Sequence, residues 1–333
     1  MEGIKFLEDS RYAFVCGRIK SKEKELLKKE DFENLLNKED EKDFLNYLKN
    51  TSYQRFEDKE IPKIFFNAEI ENYRFFKEYV LDDWVLYAVL FDYDLHNIKL
   101  YLKSEILKKD FSFYFSRFSS IPINILKNIW EIKIEKGYLK EIKEILKSAL
   151  LFFEKEKNLT LLEFFLDKNL FSLIYQYVQK SDFLKLYFQE KSTQKNILFL
   201  LRVKRKGIKL EKNDLIFYLL PFSYFDLDFY YQILESEFLK ISEIFKTDNY
   251  YLMIKEGITE YLKTGNLIFL EIAFKKRLLS LTALTKYLLF GHELLCAYYW
   301  LKENEIDNLK KIYYLKIREK LPKEWVKALI LTL

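Results

Sequence analysis

Residues 302–322 read KENEIDNLKKIYYLKIREKLP. Ile306, Leu309 and Tyr313 recur at steps of three and four, which places them on one face of an α-helix with lysines, glutamates and aspartates around the rest. Leu321-Pro322 marks the stop, because proline cannot continue a helix but suits the first turn of the next one. The stretch carries no obvious chemistry. What it encodes is shape, and the rest of the chain follows the same rule.

The clearest helical period lies in KGYLKEIKEILKSALLFFEKEK, where Ile142, Ile145, Leu146, Ala149, Leu150 and Phe153 share a face. Similar stripes run through DFENLL and through DLHNIKLYLKSEIL, on Leu95, Ile98, Leu102 and Ile106. No sustained apolar-polar alternation is bounded by Asn-Gly or Asp-Gly turns, so a sheet is not expected. Only 7 glycines and 4 prolines occur among 333 residues, so special turns are few and elements long. Thr51-Ser52 closes one helix, Pro62, Pro122 and Pro322 sit where helices begin, and Gly137, Gly207, Gly257, Gly265 and Gly291 fall at expected breaks. The chain reads as all-α, with a length that suits two to three domains and no low-complexity linker between them.

The stretch has two partial copies. DLHNIKLYLK carries Asn97-Ile98, STQKNILFLLRVK carries Asn196-Ile197, and EIDNLKKIYYLKIR carries Asn308-Leu309; each pair leads into an apolar helix with a basic end. The spacings are 99 and 112 residues, about a third of the chain each. After the second and third copies a short turn opens another amphipathic helix, and RIKSKEKELLKKEDFENLL near the N-terminus has the same shape. Three tandem units with boundaries at 1–110, 111–215 and 216–333 explain this most simply. An asparagine at one equivalent place in each unit could tie a helix to a neighbouring turn through its amide. Chance pairs in a Lys-rich helical chain, each serving only its local backbone, remain the competing explanation.

Composition removes several functions. The net charge is only +5 from 56 basic and 51 acidic residues, and these are interspersed, so no nucleic-acid face is expected. The densest basic run, RVKRKGIK over 202–209, reads as a solvated helix end before it reads as a phosphate contact. Cys16 and Cys296 form no CxxC, and His96 and His292 stand alone, so neither a disulfide framework nor a metal site is implied. Nucleotide loops of the GxxxxGKS/T or GxGxxG kind and the GxSxG elbow are missing. Acidic pairs such as Asp82-Asp83, Asp92/Asp94 and Glu303/Glu305 are expected on solvated helix faces among so many carboxylates. The N-terminus, charged at Glu2, Lys5, Glu8 and Asp9, lacks the apolar stretch of a secretory signal, and the longest uncharged runs are too short to span a bilayer. The reading is a chain soluble by itself, without cofactor or catalytic site.

On these residues the chain resembles the C-subunit family of A-type and V-type rotary ATPases, relatives of the d subunit of eukaryotic V-ATPases. The N-terminal likeness is YAFVCGRIKSKEKELLKKEDFENLLNKEDEKDFLNYLKNTSY; the central one is Asp94-x-x-Asn97-Ile98-Lys99; the last is the opening stretch, with Glu305-Ile306-x-Asn308-Leu309 and then Leu321-Pro322-x-Glu324. Lys310 stands where the family usually has Arg, and the middle copy has Thr193 in place of the acidic residue. The middle third matches least.

The resemblance implies three similar helical-bundle domains in a pseudo-threefold, funnel-like arrangement, the N-terminal helix being shared with the end of the chain. It implies a non-catalytic rotor adapter on the cytoplasmic face of the membrane, peripheral to it. Its partners would be the central-stalk subunits D and F and the proteolipid ring, with no cofactor, nucleic acid or small-molecule substrate. The expected structural-repeat residues are Asn97, Asn196 and Asn308. The expected partner contacts are the basic helix ends Arg18, Lys103, Arg202, Lys316 and Arg318. A helical scaffold for some other assembly is the alternative, although solenoids repeat at about 34 to 47 residues rather than about 100.

Overall fold

The computed structural model describes residues 5–6, 8–56, 58 and 60–332. Among them every regular element is helical and no strand occurs. No helix among them is long and apolar enough to cross a membrane. Residues 1–4, on which part of the N-terminal signal reading rests, lie outside the described residues.

The quoted stretch begins inside the helix His292–Lys311 and continues as a π-helix over Ile312–Arg318. The chain leaves it through Lys320 at φ 55°, where the Leu321 N–H donates back to the Leu315 carbonyl at 2.9 Å. Pro322 then precedes the helix Lys323–Leu329. Ile306, Leu309 and Tyr313 are all buried as their spacing predicts. Along the π segment Ile312, Lys316 and Ile317 are buried beside Tyr313, at the three- and four-residue steps of an ordinary helical face.

The chain separates into two compact units, one mainly Asp82–Ser236, the other Phe6–Leu81 with Glu237–Leu333. In the second, the helices Ala13–Lys22 and Ile61–Tyr79 pack against His292–Lys311. Phe44, Phe65 and Tyr313 meet ring to ring at centroid distances of 5.8 to 6.4 Å in a core shared with Leu35, Leu309 and Val326. Gly257 is not a break: it sits within the helix Tyr251–Thr264, where a Cβ would lie 2.7 Å from Leu270 Cδ1 of the helix Ile268–Ser280. The residue is glycine for close packing. The break comes at Gly265, φ 69°.

In the first unit, Tyr138–Glu156 and Leu159–Tyr177 form a helical hairpin through Lys157, φ 50°, and Asn158, whose side chain caps the second helix by accepting from Thr160 and Leu161 N–H. The helix Phe91–Leu107 packs on this hairpin, and the long helix Asp182–Arg205 packs on Leu227–Glu235. Phe91, Phe171 and Phe188 hold the middle, with ring centroids 5.0 to 6.2 Å apart. The expected boundaries after 110 and after 215 both lie within the span of this unit.

Candidate functional site

Asn97, Asn196 and Asn308 lie on the helices Phe91–Leu107, Asp182–Arg205 and His292–Lys311, and each is 1% exposed or less. Each makes the same contact. Asn97 Nδ2 donates to the Ser116 carbonyl at 2.9 Å while its Oδ1 accepts the Ser116 N–H at 2.8 Å. Asn196 holds Leu220 likewise at 3.0 and 2.8 Å, and Asn308 holds Leu331 at 2.7 and 3.1 Å. A carboxamide presents a donor and an acceptor side by side, so it can satisfy both polar groups of one peptide residue in a segment without regular pairing. The Leu331 carbonyl also accepts from Asn304 Nδ2 at 2.8 Å, one turn earlier on the same helix. The clamped residues follow their asparagines by 19, 24 and 23 positions, which gives the three copies a common helix-and-return plan.

The residue three positions before each asparagine also captures a partner from elsewhere in the chain. Asp94 Oδ1 accepts the N–H groups of Ser120 at 2.8 Å and Ile121 at 3.1 Å, and its other oxygen accepts the Ser120 hydroxyl. Burial pushes the Asp94 carboxyl up to about 7, against these hydrogen bonds, which favour the ionised form. Thr193 Oγ1 accepts the Tyr224 N–H at 2.9 Å, so the missing acid of the middle copy is replaced by a hydroxyl that performs one of the same bonds. Glu305 departs from the plan: its carboxylate accepts the Leu27 N–H at 2.6 Å and the Tyr53 hydroxyl at 2.7 Å, fastening the segment before the helix Lys29–Leu36 and the short turn Ser52–Phe56 to the helix His292–Lys311. Lys302 completes that cluster by donating to Glu305, with its ammonium 4.4 Å from the Tyr53 ring centroid. Burial lowers the Lys302 pKa, and burial together with Glu305 raises that of Tyr53.

Of the five basic residues, Lys103 and Arg202 belong to the first unit and Arg18, Lys316 and Arg318 to the second. Arg18 is exposed, donates to the Tyr79 hydroxyl and lies over the Phe75 and Tyr79 rings at 5.7 and 5.1 Å. Lys103 pairs with Glu163, Lys316 with Glu39 at 3.3 Å, and Arg318 with Glu41 at 2.6 Å. Lys316 and Arg318 thus share the turn at residues 39–41, while Arg202 stands exposed at the mouth of a cleft in the first unit. Lys316 is only 8% exposed.

Sequence reasoning missed the clamped segments, whose residues Ser116, Leu220 and Leu331 share no signature. It also missed the outward aromatics Phe113, Tyr287 and Trp325, which are 93%, 85% and 72% exposed. Their helical or turn positions give no signal separate from those of core aromatics. His96 has Nε2 3.0 Å from the Tyr114 carbonyl, and His292 is buried beside Glu293 and the edge of Tyr12. Burial raises the pKa of both thiols, so Cys16 and Cys296 are held as neutral core groups. Among the described residues no three His, Cys, Asp or Glu side chains gather as a metal would need.

A family model described as ATP synthase (C/AC39) subunit matches residues 15–329. No curated protein matches the chain.

Proposed function

Since the chain belongs to the ATP synthase (C/AC39) subunit family, we propose that it is a non-catalytic rotor adapter, coupling the central stalk of an A/V-type ATPase to the membrane proteolipid ring. The match across nearly the whole chain carries this reading. Its partners are then stalk subunits D and F on one side and the ring on the other, and its place is the cytoplasmic face of the membrane, peripheral to it.

The threefold plan belongs to the same proposal. Three clamped helices of one design support the reading of three related units, 1–110, 111–215 and 216–333. A rotor part must pass torque without yielding, and close-packed helices tied by buried amides suit that demand, because dense interiors transmit strain. The rim contacts in this reading are Arg18, Lys103, Arg202, Lys316 and Arg318, facing acidic surfaces of the stalk or ring.

Affinity isolation of the tagged chain from gently solubilised membranes tests the role. Co-purification with stalk and ring subunits is the expected result. Recovery without any of them defeats it.

A further inference from the structure

The first unit holds a cleft of about 620 Å³ between the helices Leu159–Tyr177, Asp182–Arg205 and Lys212–Tyr218. Its size lies within the range of about 300–1,000 Å³ typical of small-molecule sites. The floor is aromatic: Phe164, Phe199 and Tyr218 meet at centroid distances of 5.0 to 5.5 Å, and Leu161 and Leu198 extend the apolar wall. The lip forms where Gly207, φ 65°, turns the chain off the end of the long helix and carries Ile208 and Leu210 over the opening.

Charge in this cleft is one-sided. Arg202, Arg205 and Lys206 stand at the mouth and Lys195 lines the interior; the one acid in the lining, Asp167, is already paired with Lys99 at 2.6 Å. Lys195 makes no hydrogen bond or close ion pair among the described residues; its ammonium rests 4.9 Å from the Phe171 ring centroid, and the carboxylates of Asp92 and Asp167 act on it only through space. Burial lowers its pKa. A partly buried ammonium that Asp92 and Asp167 compensate only from a distance still lacks a charge-assisted hydrogen bond, and a carboxylate or phosphate brought to it supplies one in a setting of low screening.

We infer that this cleft binds a single-chain anionic amphiphile as a monomer, its chain lying on Phe164, Phe199 and Tyr218 and its acidic head on Lys195 and on Arg205 and Lys206 at the mouth. The apolar floor selects the chain, and the cationic groups select the head over a neutral one. The occupant is a ligand and not a substrate, since among the described residues no nucleophile paired with a base faces it in the cleft lining. The site goes beyond the adapter role and stands whether or not that role holds.

Calorimetric titration of the full chain with monomeric dodecanoate, compared with the neutral dodecyl maltoside, tests it. The expected result is one saturable dodecanoate site and binding of the neutral amphiphile about tenfold or more weaker, the effect of losing a hydrogen bond to a charged group. Lys195→Met is expected to weaken dodecanoate about tenfold or more, and Leu198→Trp to block the cleft. If either variant fails to fold, Arg205→Gln with Lys206→Gln, both at exposed positions, must still weaken binding several-fold. Equal binding of the two amphiphiles overturns the site, as does an unchanged affinity in the Arg205/Lys206 variant. Sedimentation with phosphatidylglycerol vesicles but no titration by monomeric dodecanoate also overturns it, in favour of a membrane surface contact.

Discussion

Asn196 shows how much one amide can do. Replacing it with leucine fills similar volume but leaves the Leu220 N–H and C=O without this partner in the core. A buried unsatisfied polar group costs about 1–3 kcal/mol, so Asn196→Leu is expected to lower unfolding stability by about 2–4 kcal/mol in urea titration. Asn308→Leu should cost less, about 1–3 kcal/mol, because the Leu331 carbonyl keeps its bond from Asn304 and only the N–H is stranded. A loss under about 0.5 kcal/mol in both would show that the clamps are incidental. Asp94 makes a pH-dependent prediction. Its folded pKa of about 7 lies above the ordinary 3.8, so the native state binds the extra proton, and this group's contribution to stability falls as pH rises from about 4 to about 7. Across that window it amounts to ~4 kcal/mol at most. Asp94→Asn keeps the acceptor for Ser120 and Ile121 N–H and removes the ionisation, so its melting temperature should decline less over this window than that of the unmodified chain. Parallel melting curves for the two would refute the assignment.

At the scale of elements, glycine and its absence mark where helices meet and where they end. Gly257→Ala improves intrinsic helix propensity, yet its Cβ would meet Leu270 at 2.7 and 2.8 Å, so the helices Tyr251–Thr264 and Ile268–Ser280 must separate. A net loss of about 1–3 kcal/mol is expected, the usual cost of overpacking, and an unchanged or raised denaturation midpoint would refute it. Lys108 is the opposite case. It closes the helix Phe91–Leu107 in the left-handed region, φ 52°, where a Cβ is unfavourable. Lys108→Gly is therefore expected to gain about 0.5–1 kcal/mol by the same measurement. The helix faces themselves were legible: Ile142, Leu146 and Ala149 are all fully buried, as are Ile306 and Leu309 to within 1%. The π segment Ile312–Arg318 was not, because its residues carry ordinary helical spacing and only the packing of Phe44, Phe65 and Val326 around it reveals the wider turn.

For the whole molecule, assembly is the property to measure. Arg18→Glu and Arg202→Glu alter exposed charges and are expected to reduce co-purification with stalk and ring subunits several-fold at physiological salt while leaving the helical circular-dichroism signal intact. Arg18→Glu also gives up the bond to the Tyr79 hydroxyl and Arg318→Glu the Glu41 pair, so the helical signal serves as the control for each. Unchanged recovery with both exposed reversals would remove these residues from the interface. The sequence by itself determined that this chain is helical, since few glycines and prolines and a 3.6-residue apolar period are local properties that survive without any knowledge of neighbours, and it displayed three asparagines at like places in three such helices. Only the tertiary structure decided what those asparagines hold. Their partners lie 19 to 24 residues away in segments of unrelated composition, and a backbone N–H or C=O offers the same bond whatever side chain it carries, so no sequence pattern marks it.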